Sequence, residues 1–176
     1  MIFCLKNTNN CFKTKLFKLL YFIDFNHFKI KGRPVTCFEY NAWPKGPVPV
    51  NLNDEIDNPQ TDFKEFFNVH KNSPEKKGVQ LIPRVKFNED LFSARELKIM
   101  KDICETFKYA DSDMMIDSTH LRNDPWDITY NKKNLKQKKI PYTLALDDSP
   151  ESLTEEELKE IQEDRLFVKQ ALGNEG

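Results

Sequence analysis

Glycine is scarce in this chain, whose 176 residues include five glycines and ten prolines. Average usage of about 7% would give roughly twelve glycines in a chain of this length. A Walker-type phosphate loop needs two glycines five residues apart followed by lysine, and a dinucleotide-binding turn needs three glycines within six residues. Neither spacing occurs. The sequence therefore predicts no nucleotide-binding loop and no cofactor.

Metal and redox motifs are missing too. The cysteines form no C-x-x-C pair, and the histidines stand at no ligand spacing from one another or from a cysteine. No serine occupies a nucleophile elbow. The acidic residues from Asp111 to Asp127 are better explained by helix capping and solvation than by a divalent ion. We predict no metal site, and free thiols at Cys4, Cys11, Cys37 and Cys104.

Long hydrophobic runs are absent, since no stretch approaches the eighteen or more apolar residues that span a membrane. The start of the chain lacks the apolar core of a signal peptide, so we expect a cytoplasmic protein without membrane contact. Apolar side chains make up 39% of the sequence and include fourteen phenylalanines. This supply is enough for one dense core, and a chain of this length predicts one globular domain.

No sign of charge dominates the whole chain, whose net charge is −1. Non-specific nucleic-acid binding relies on a basic field, so nucleic acid is not an expected partner. The two ends nevertheless differ. Residues 1–45 hold eight basic and two acidic side chains (net +6), and residues 147–176 hold three basic and ten acidic ones (net −7). These ends either attract each other within the fold or present charged surfaces to different partners.

The strongest helical segment runs from Lys13 to Lys31 and precedes Gly32, which suits a left-handed C-cap. Apolar residues occupy most of its circumference, so the sequence predicts a central helix that is covered on two faces. Asp24 falls within the apolar arc, where a carboxylate needs a hydrogen-bonding partner. We expect Arg33 or backbone N–H groups of the following loop to hold Asp24. The functional alternative is a general base with a raised pKa.

The polar strip of this helix holds lysines around one aromatic side chain, Phe22. An aromatic residue ringed by charged residues is typical of an anchor and its rim in a protein interface. The alternative is that another part of the chain covers the strip. The candidate partner-binding residues are Lys15, Lys18, Phe22 and Lys29.

Downstream patterns favour the α+β class, mainly α, with a compact helical domain around the long central helix and a small antiparallel sheet. The proline-rich segment 33–49 predicts a shaped loop packed on that helix. Residues 79–87 alternate as a half-buried edge strand. Capping boxes begin helices at Ser93 and Thr154. The further helices are expected over 49–56, 62–69, 93–107, 113–121 and 154–172.

The last of these helices is acidic in its first turns and has a narrow apolar stripe that Arg165 interrupts. A helix of this kind docks weakly and is suited to act as an arm for a partner. We therefore expect two units, a domain over residues 1–150 and an acidic C-terminal helix over 151–176. The stripe consists of Leu158, Ile161, Val168 and Leu172.

An ordered series of motifs runs through the chain: Lys13-Thr14-Lys15-Leu16, Lys18-Leu19-Leu20-Tyr21-Phe22 with Asp24, Gly32-Arg33-Pro34-Val35-Thr36, Ala42-Trp43, Gly46-Pro47-Val48-Pro49, Ser118-Thr119-His120, Pro125-Trp126 and Ile140-Pro141-Tyr142. In this order the motifs resemble the Panacea domain, also called the SocA-like antitoxin domain, over roughly residues 11–146. Phe12 and Cys37 depart from the pattern, since relatives usually have glycine there. The resemblance implies a mostly helical fold with a small sheet. The motif residues it singles out are Tyr21, Asp24, Arg33, Trp43, Gly46, Pro47, His120 and Trp126.

Members of that family are antitoxins of bacterial and phage toxin–antitoxin pairs, and they bind diverse toxins. The resemblance therefore implies an antitoxin that neutralises a cognate toxin by direct protein–protein binding and has no catalytic residues. One alternative is an enzyme that reverses toxin damage with Asp24, His120 and Arg33 as its acid–base set. His120 itself is either a satisfied buried histidine or a catalytic base. The other alternative is a transcriptional autoregulator, although no helix-turn-helix with a basic second helix is evident.

Overall fold

The computed structural model describes residues 1–73 and 76–173 and is built around one long helix. This helix, α2 (Lys13–Lys31), follows the short helix α1 (Ile2–Asn7). It ends at Gly32, whose φ of 64° gives the left-handed C-cap that the sequence predicts. Leucine and isoleucine side chains on two of its faces are enclosed. The prediction of a central helix is therefore confirmed.

A hairpin follows α2 and packs against it. Strands β1 (Tyr40–Trp43) and β2 (Gly46–Pro49) pair antiparallel, with Trp43 opposite Gly46. Gly46 has a φ of 95°, a conformation that glycine adopts at little cost. Both strands bury side chains against the central helix. The proline-rich segment is thus a shaped, packed loop, as its composition predicts.

Cys37 lies in the loop before this hairpin and has a φ of 59°. A residue with a Cβ atom in the left-handed region costs roughly 1–2 kcal/mol more than in the right-handed one. Glycine avoids this cost, so the departure of Cys37 from the motif pattern carries a conformational cost. Phe12 is different, because its φ of −78° is ordinary for any residue.

Two short helices and a second hairpin come next. Helix α3 (Val50–Asp57) lies where the sequence predicts a helix, and α4 (Thr61–Phe66) leads directly into β3 (Phe67–Ser73). Strand β3 pairs antiparallel with β4 (Lys76–Pro83). The prediction of a helix over 62–69 is therefore wrong in its last three residues, which form a strand because they pair with β4. The strand predicted over 79–87 ends earlier, at Pro83.

The helices α5 (Ala94–Thr106), α6 (Ser112–Thr119) and α7 (Pro125–Asp127) complete the layer around α2. Helix α5 begins with the predicted capping box, in which the Ser93 and Glu96 side chains each accept from the other's backbone N–H. A π-helical turn (Ile128–Lys132) continues α7, and a 3₁₀ turn (Tyr142–Ala145) packs on α2. The two hairpins and these helices give an α+β, mainly α fold, as predicted.

The last helix, α8 (Glu155–Gly173), lies against the end of α2. Its predicted capping box is present, since the Glu157 N–H donates to the Thr154 hydroxyl (3.2 Å) and a Glu157 carboxylate oxygen accepts from the Thr154 N–H (2.8 Å). Leu158 is buried and lies against the end of α2. Within the described residues, no helix is long and apolar enough to cross a membrane.

Candidate functional site

Asp24 fixes the loop that follows α2. The side chain is fully buried, and its Oδ1 accepts hydrogen bonds from the N–H groups of Val35 (2.9 Å) and Thr36 (2.7 Å). Its Oδ2 accepts from the Tyr40 hydroxyl (2.7 Å) and from the Thr36 hydroxyl. Burial raises the pKa of Asp24, and these hydrogen bonds act against that rise. The loop N–H groups hold Asp24 as expected, whereas Arg33 does not.

Arg33 instead joins the end of α2 to the start of α5. Its Nη2 donates to Glu96 Oε1 (3.0 Å), and its carbonyl oxygen accepts from His27 Nδ1–H (2.7 Å). Burial by itself would raise the pKa of Glu96, but hydrogen bonds from Ser93 and the charge of Arg33 lower it below its ordinary value. Sequence reasoning missed Glu96 as this partner, because the capping box already explained the residue.

Lys15 and Lys18 are buried, with 1% of each residue exposed. The Lys15 ammonium donates to the carbonyl oxygens of Asn9 (2.9 Å), Lys108 (3.1 Å) and Ala110 (2.8 Å). Those three acceptors match its three donors. Neither lysine can reach a partner from this position. The prediction that they bind a partner is therefore wrong, because other parts of the chain cover this half of the strip.

Lys18 lies in a tighter enclosure between α2 and the first hairpin. Its Nζ donates to the Pro47 carbonyl oxygen (2.8 Å), and burial lowers the pKa of Lys18 to about 7. A Cβ atom at Gly46 would lie 2.8 Å from this Nζ and 2.6 Å from the Thr119 Oγ1. The motif glycine therefore leaves the space that the buried amine occupies.

The tryptophan of the Pro125-Trp126 motif joins α7 to the same hairpin. The Trp126 Nε1–H donates to the Trp43 carbonyl oxygen (2.9 Å), and its ring stacks between His120 (centroids 3.7 Å apart) and Tyr130 (4.7 Å). His120 Nε2 is buried without a hydrogen-bond partner among the described residues. Burial lowers the pKa of His120, and the charge of Lys18 adds to this effect. His120 is therefore a stacked ring whose Nε2 has no hydrogen-bond partner in the described part of the chain.

The outer half of the predicted strip is only partly covered. Phe22 stacks on Phe107 with centroids 5.0 Å apart, and Lys29 pairs with Asp147 at 2.8 Å. This hydrogen bond, with one from Ser149, lowers the pKa of Asp147 to about 2. Lys29–Asp147 is the one ion pair between the basic and the acidic ends of the described chain. Most of the acidic C-terminal charge thus faces solvent.

The structure does not assemble the three residues of the hypothetical acid–base set. Asp24 binds the loop after α2, Arg33 binds Glu96, and His120 stacks on Trp126. Across residues 1–73 and 76–173, no hydrogen bond or ion pair joins any two of the three. Each of these three residues therefore binds or packs against a different part of the fold.

Four uncovered large apolar side chains lie close together in sequence at the end of α8. Arg165 donates to the carbonyl oxygens of Gly32 (3.0 Å) and Lys31 (3.2 Å). Among the described residues, no other hydrogen bond joins this helix to the domain. The apolar stripe predicted from the sequence includes Val168 and Leu172. It does not include Leu166 and Phe167, because the 100° spacing places these two residues on the acidic faces of the helix. The exposed side chains are Leu166, Phe167, Val168 and Leu172.

Comparison with curated proteins finds no match, and comparison with solved structures finds none either. A protein family does match: the one described as "Antitoxin SocA-like, Panacea domain" covers residues 16–127. The matched span contains α2 from its fourth residue onward, both hairpins, α5, α6 and α7, and thus most of the packed motif residues. It stops before α8. Because the match covers well over half of the chain, the protein belongs to the Panacea-domain family of SocA-like antitoxins.

Proposed function

We propose that this protein is the antitoxin of a toxin–antitoxin pair and neutralises its cognate toxin by binding it directly. One observation carries the direct binding: α8 lies outside the family match and leaves four large apolar side chains uncovered. Exposed apolar groups of this kind mark interaction sites on protein surfaces. We assign toxin binding to the C-terminal segment 151–176, which contains α8, and a scaffold role to residues 1–150.

The packed motif residues support binding in preference to catalysis. A general base must come within hydrogen-bond reach of a proton on the substrate. Asp24 is enclosed and already accepts four hydrogen bonds. The Lys15 ammonium donates all three of its hydrogens to backbone carbonyl oxygens. These groups stabilise the scaffold, so the protein acts without a reaction of its own, in the compartment where its toxin acts. We take that compartment to be the cytoplasm.

Co-expression tests the proposal. The product of the adjacent reading frame is expressed alone and together with this chain, and cell growth is measured. We expect growth arrest with the neighbour alone, rescue by the full chain, and copurification of the two proteins in a stoichiometric complex. A harmless neighbour contradicts the antitoxin role. Rescue without any complex contradicts direct binding.

Two further readouts separate the alternatives. Rescue by this chain at far below the toxin's concentration indicates an enzyme that reverses the damage, because a blocking protein must match its target in amount. Salt-sensitive binding to the promoter of its own operon indicates an autoregulator. Stoichiometric rescue without promoter binding supports the proposed mechanism.

A further inference from the structure

We propose that α8 recognises a basic protein surface, with Phe167 inserted into an apolar pocket of the partner and neighbouring glutamates on the basic residues around that pocket. This inference rests on the proposed function and names the chemistry of the partner. It is carried by three features of α8: the direction of Phe167, the charges around it and the composition of the helix end.

Phe167 points away from the protein's own domain. Residues of an α-helix follow one another at 100°, and the docked face is defined by Leu158, Ile161 and Arg165, which contact the end of α2. Phe167 lies about 150° from the centre of that face by the same spacing. Its exposed fraction is 73%. The domain therefore cannot cover Phe167 while α8 is docked through that face.

Acidic side chains surround Phe167 on this outer face. Glu156, Glu160 and Glu163 all fall within about 40° of it around the helix axis, and all three are exposed. At a rise of about 1.5 Å per residue, the acidic stretch and the aromatic ring span roughly 16 Å. The partner that fits this face carries basic side chains over that distance, next to an apolar pocket.

The C-terminal end of α8 presents apolar side chains on all sides of the helix. The segment from Leu166 to Leu172 contains five apolar residues in seven, and they point in all directions around the axis. A helix that is apolar all round is stable in water only when it is enclosed. This end inserts into a groove of the partner, and the acidic turns before it set its orientation.

A second copy of the chain fits this surface poorly. A symmetric contact through Phe167 would place the same patch of both copies together. Such an interface would contain the glutamates of both copies and no basic surface to match them, and like charges brought together at an interface are unfavourable. The charge of the face thus selects a basic partner of a different sequence.

The test uses the full chain and the adjacent reading-frame product that it neutralises, with affinity measured by titration calorimetry. Phe167→Ala is expected to raise Kd at least about thirty-fold, because central aromatic anchors are worth 2 kcal/mol or more. The double variant Glu156→Lys with Glu160→Lys is expected to raise Kd about tenfold or more and to flatten its dependence on NaCl between 50 and 300 mM.

Matched controls lie outside α8. Tyr109 is 77% exposed, so Tyr109→Ala removes an equally exposed aromatic ring, and Glu89→Lys reverses an exposed charge elsewhere. Both controls should bind as the wild type does, and all variants should keep its thermal unfolding temperature, since none of these side chains is packed.

The outcomes separate the two proposals. A wild-type chain that neither rescues nor binds the neighbour overturns the proposed function, and this inference with it. A wild-type chain that binds while Phe167→Ala binds equally well overturns this inference alone. A wild-type dimer in light scattering that Phe167→Ala converts to monomers assigns the face to self-association and also overturns it. Losses confined to the α8 variants support it.

Discussion

Replacing Asp24 tests whether the carboxylate is structural or catalytic. In Asp24→Ala, two backbone N–H groups and two hydroxyls, those of Thr36 and Tyr40, lose their acceptor. A buried donor without a partner costs about 1–3 kcal/mol. Four of them cost at least about 4 kcal/mol, against a total stability of about 5–15 kcal/mol for a typical domain. We expect Asp24→Ala to be largely unfolded or insoluble.

Asp24→Asn is the informative variant, because it keeps an oxygen for the two N–H groups of Val35 and Thr36. Its NH₂ group can donate to the hydroxyl oxygens of Thr36 and Tyr40, which turn to accept. The loss is then the charge assistance of the four bonds, about 1–3 kcal/mol. For a chain of this size, a loss of about 2 kcal/mol lowers Tm by about 4–8 °C.

Calorimetry and urea unfolding measure these changes, and Tyr40→Phe completes a double-mutant cycle. Removing the Tyr40 hydroxyl takes away one of the donors to Asp24, so the two changes should couple by at least about 0.5 kcal/mol. Toxin neutralisation by Asp24→Asn should persist at temperatures where the variant is folded. An unchanged Tm together with lost neutralisation would refute the structural role and favour catalysis.

Four further predictions follow from local geometry. Burial lowers the pKa of Lys18 from 10.5 to about 7, so the unfolded chain binds an extra proton above pH 7 and stability should rise by about 2 kcal/mol between pH 7 and 9. Urea unfolding should show this rise in the wild type and in the exposed-lysine control Lys45→Met, but not in Lys18→Met; equal slopes in all three would contradict it. Gly46→Ala places a Cβ 2.8 Å from the Lys18 Nζ at a φ of 95° and should cost about 2–4 kcal/mol in the same assay. Cys37→Gly relieves a left-handed residue and should stabilise the protein by up to about 1 kcal/mol, whereas a loss of stability would show that the thiol makes a needed contact. Arg165→Met removes both hydrogen bonds to the end of α2 and should speed amide hydrogen exchange in α8 while leaving Tm nearly unchanged.

Local spacing in the sequence was enough to predict the central helix and its ends. Helical periodicity, Gly32 and the capping boxes at Ser93 and Thr154 all depend on residues within four positions of one another, and the structure confirms them. The start of β3 could not be found in this way. Phe63, Phe66 and Phe67 keep a helical pattern, and only the pairing of Phe67 with the distant Pro83 makes it a strand residue.

The burial of Lys15 depends on residues that are even farther away in the sequence. The sequence predicts that Lys15 lies at the surface, because lysine ammonium groups are rarely buried. Its acceptors include the carbonyl oxygens of Lys108 and Ala110, more than ninety positions away. Likewise, the sequence indicated that Asp24 needs a partner and correctly named the backbone N–H groups of the following loop, but it did not indicate the hydroxyl groups of Thr36 and Tyr40 as further donors. Tertiary partners of this kind leave no local signal.

The polar groups of α2 explain how a helix with so much apolar surface specifies one arrangement of its neighbours. An apolar contact is non-directional, and a core built from such contacts alone tolerates shifts of its elements. Lys15, Lys18 and Asp24 each bind backbone groups of a different segment, and His27 binds the same loop as Asp24. A shifted segment would therefore leave a buried charge or donor unpaired. The scaffold is therefore held rigid from within. In the part of the chain that the structure describes, the hydrogen bonds from α8 to the domain reach the end of α2, so the outer face of that helix can change in sequence without disturbing the core.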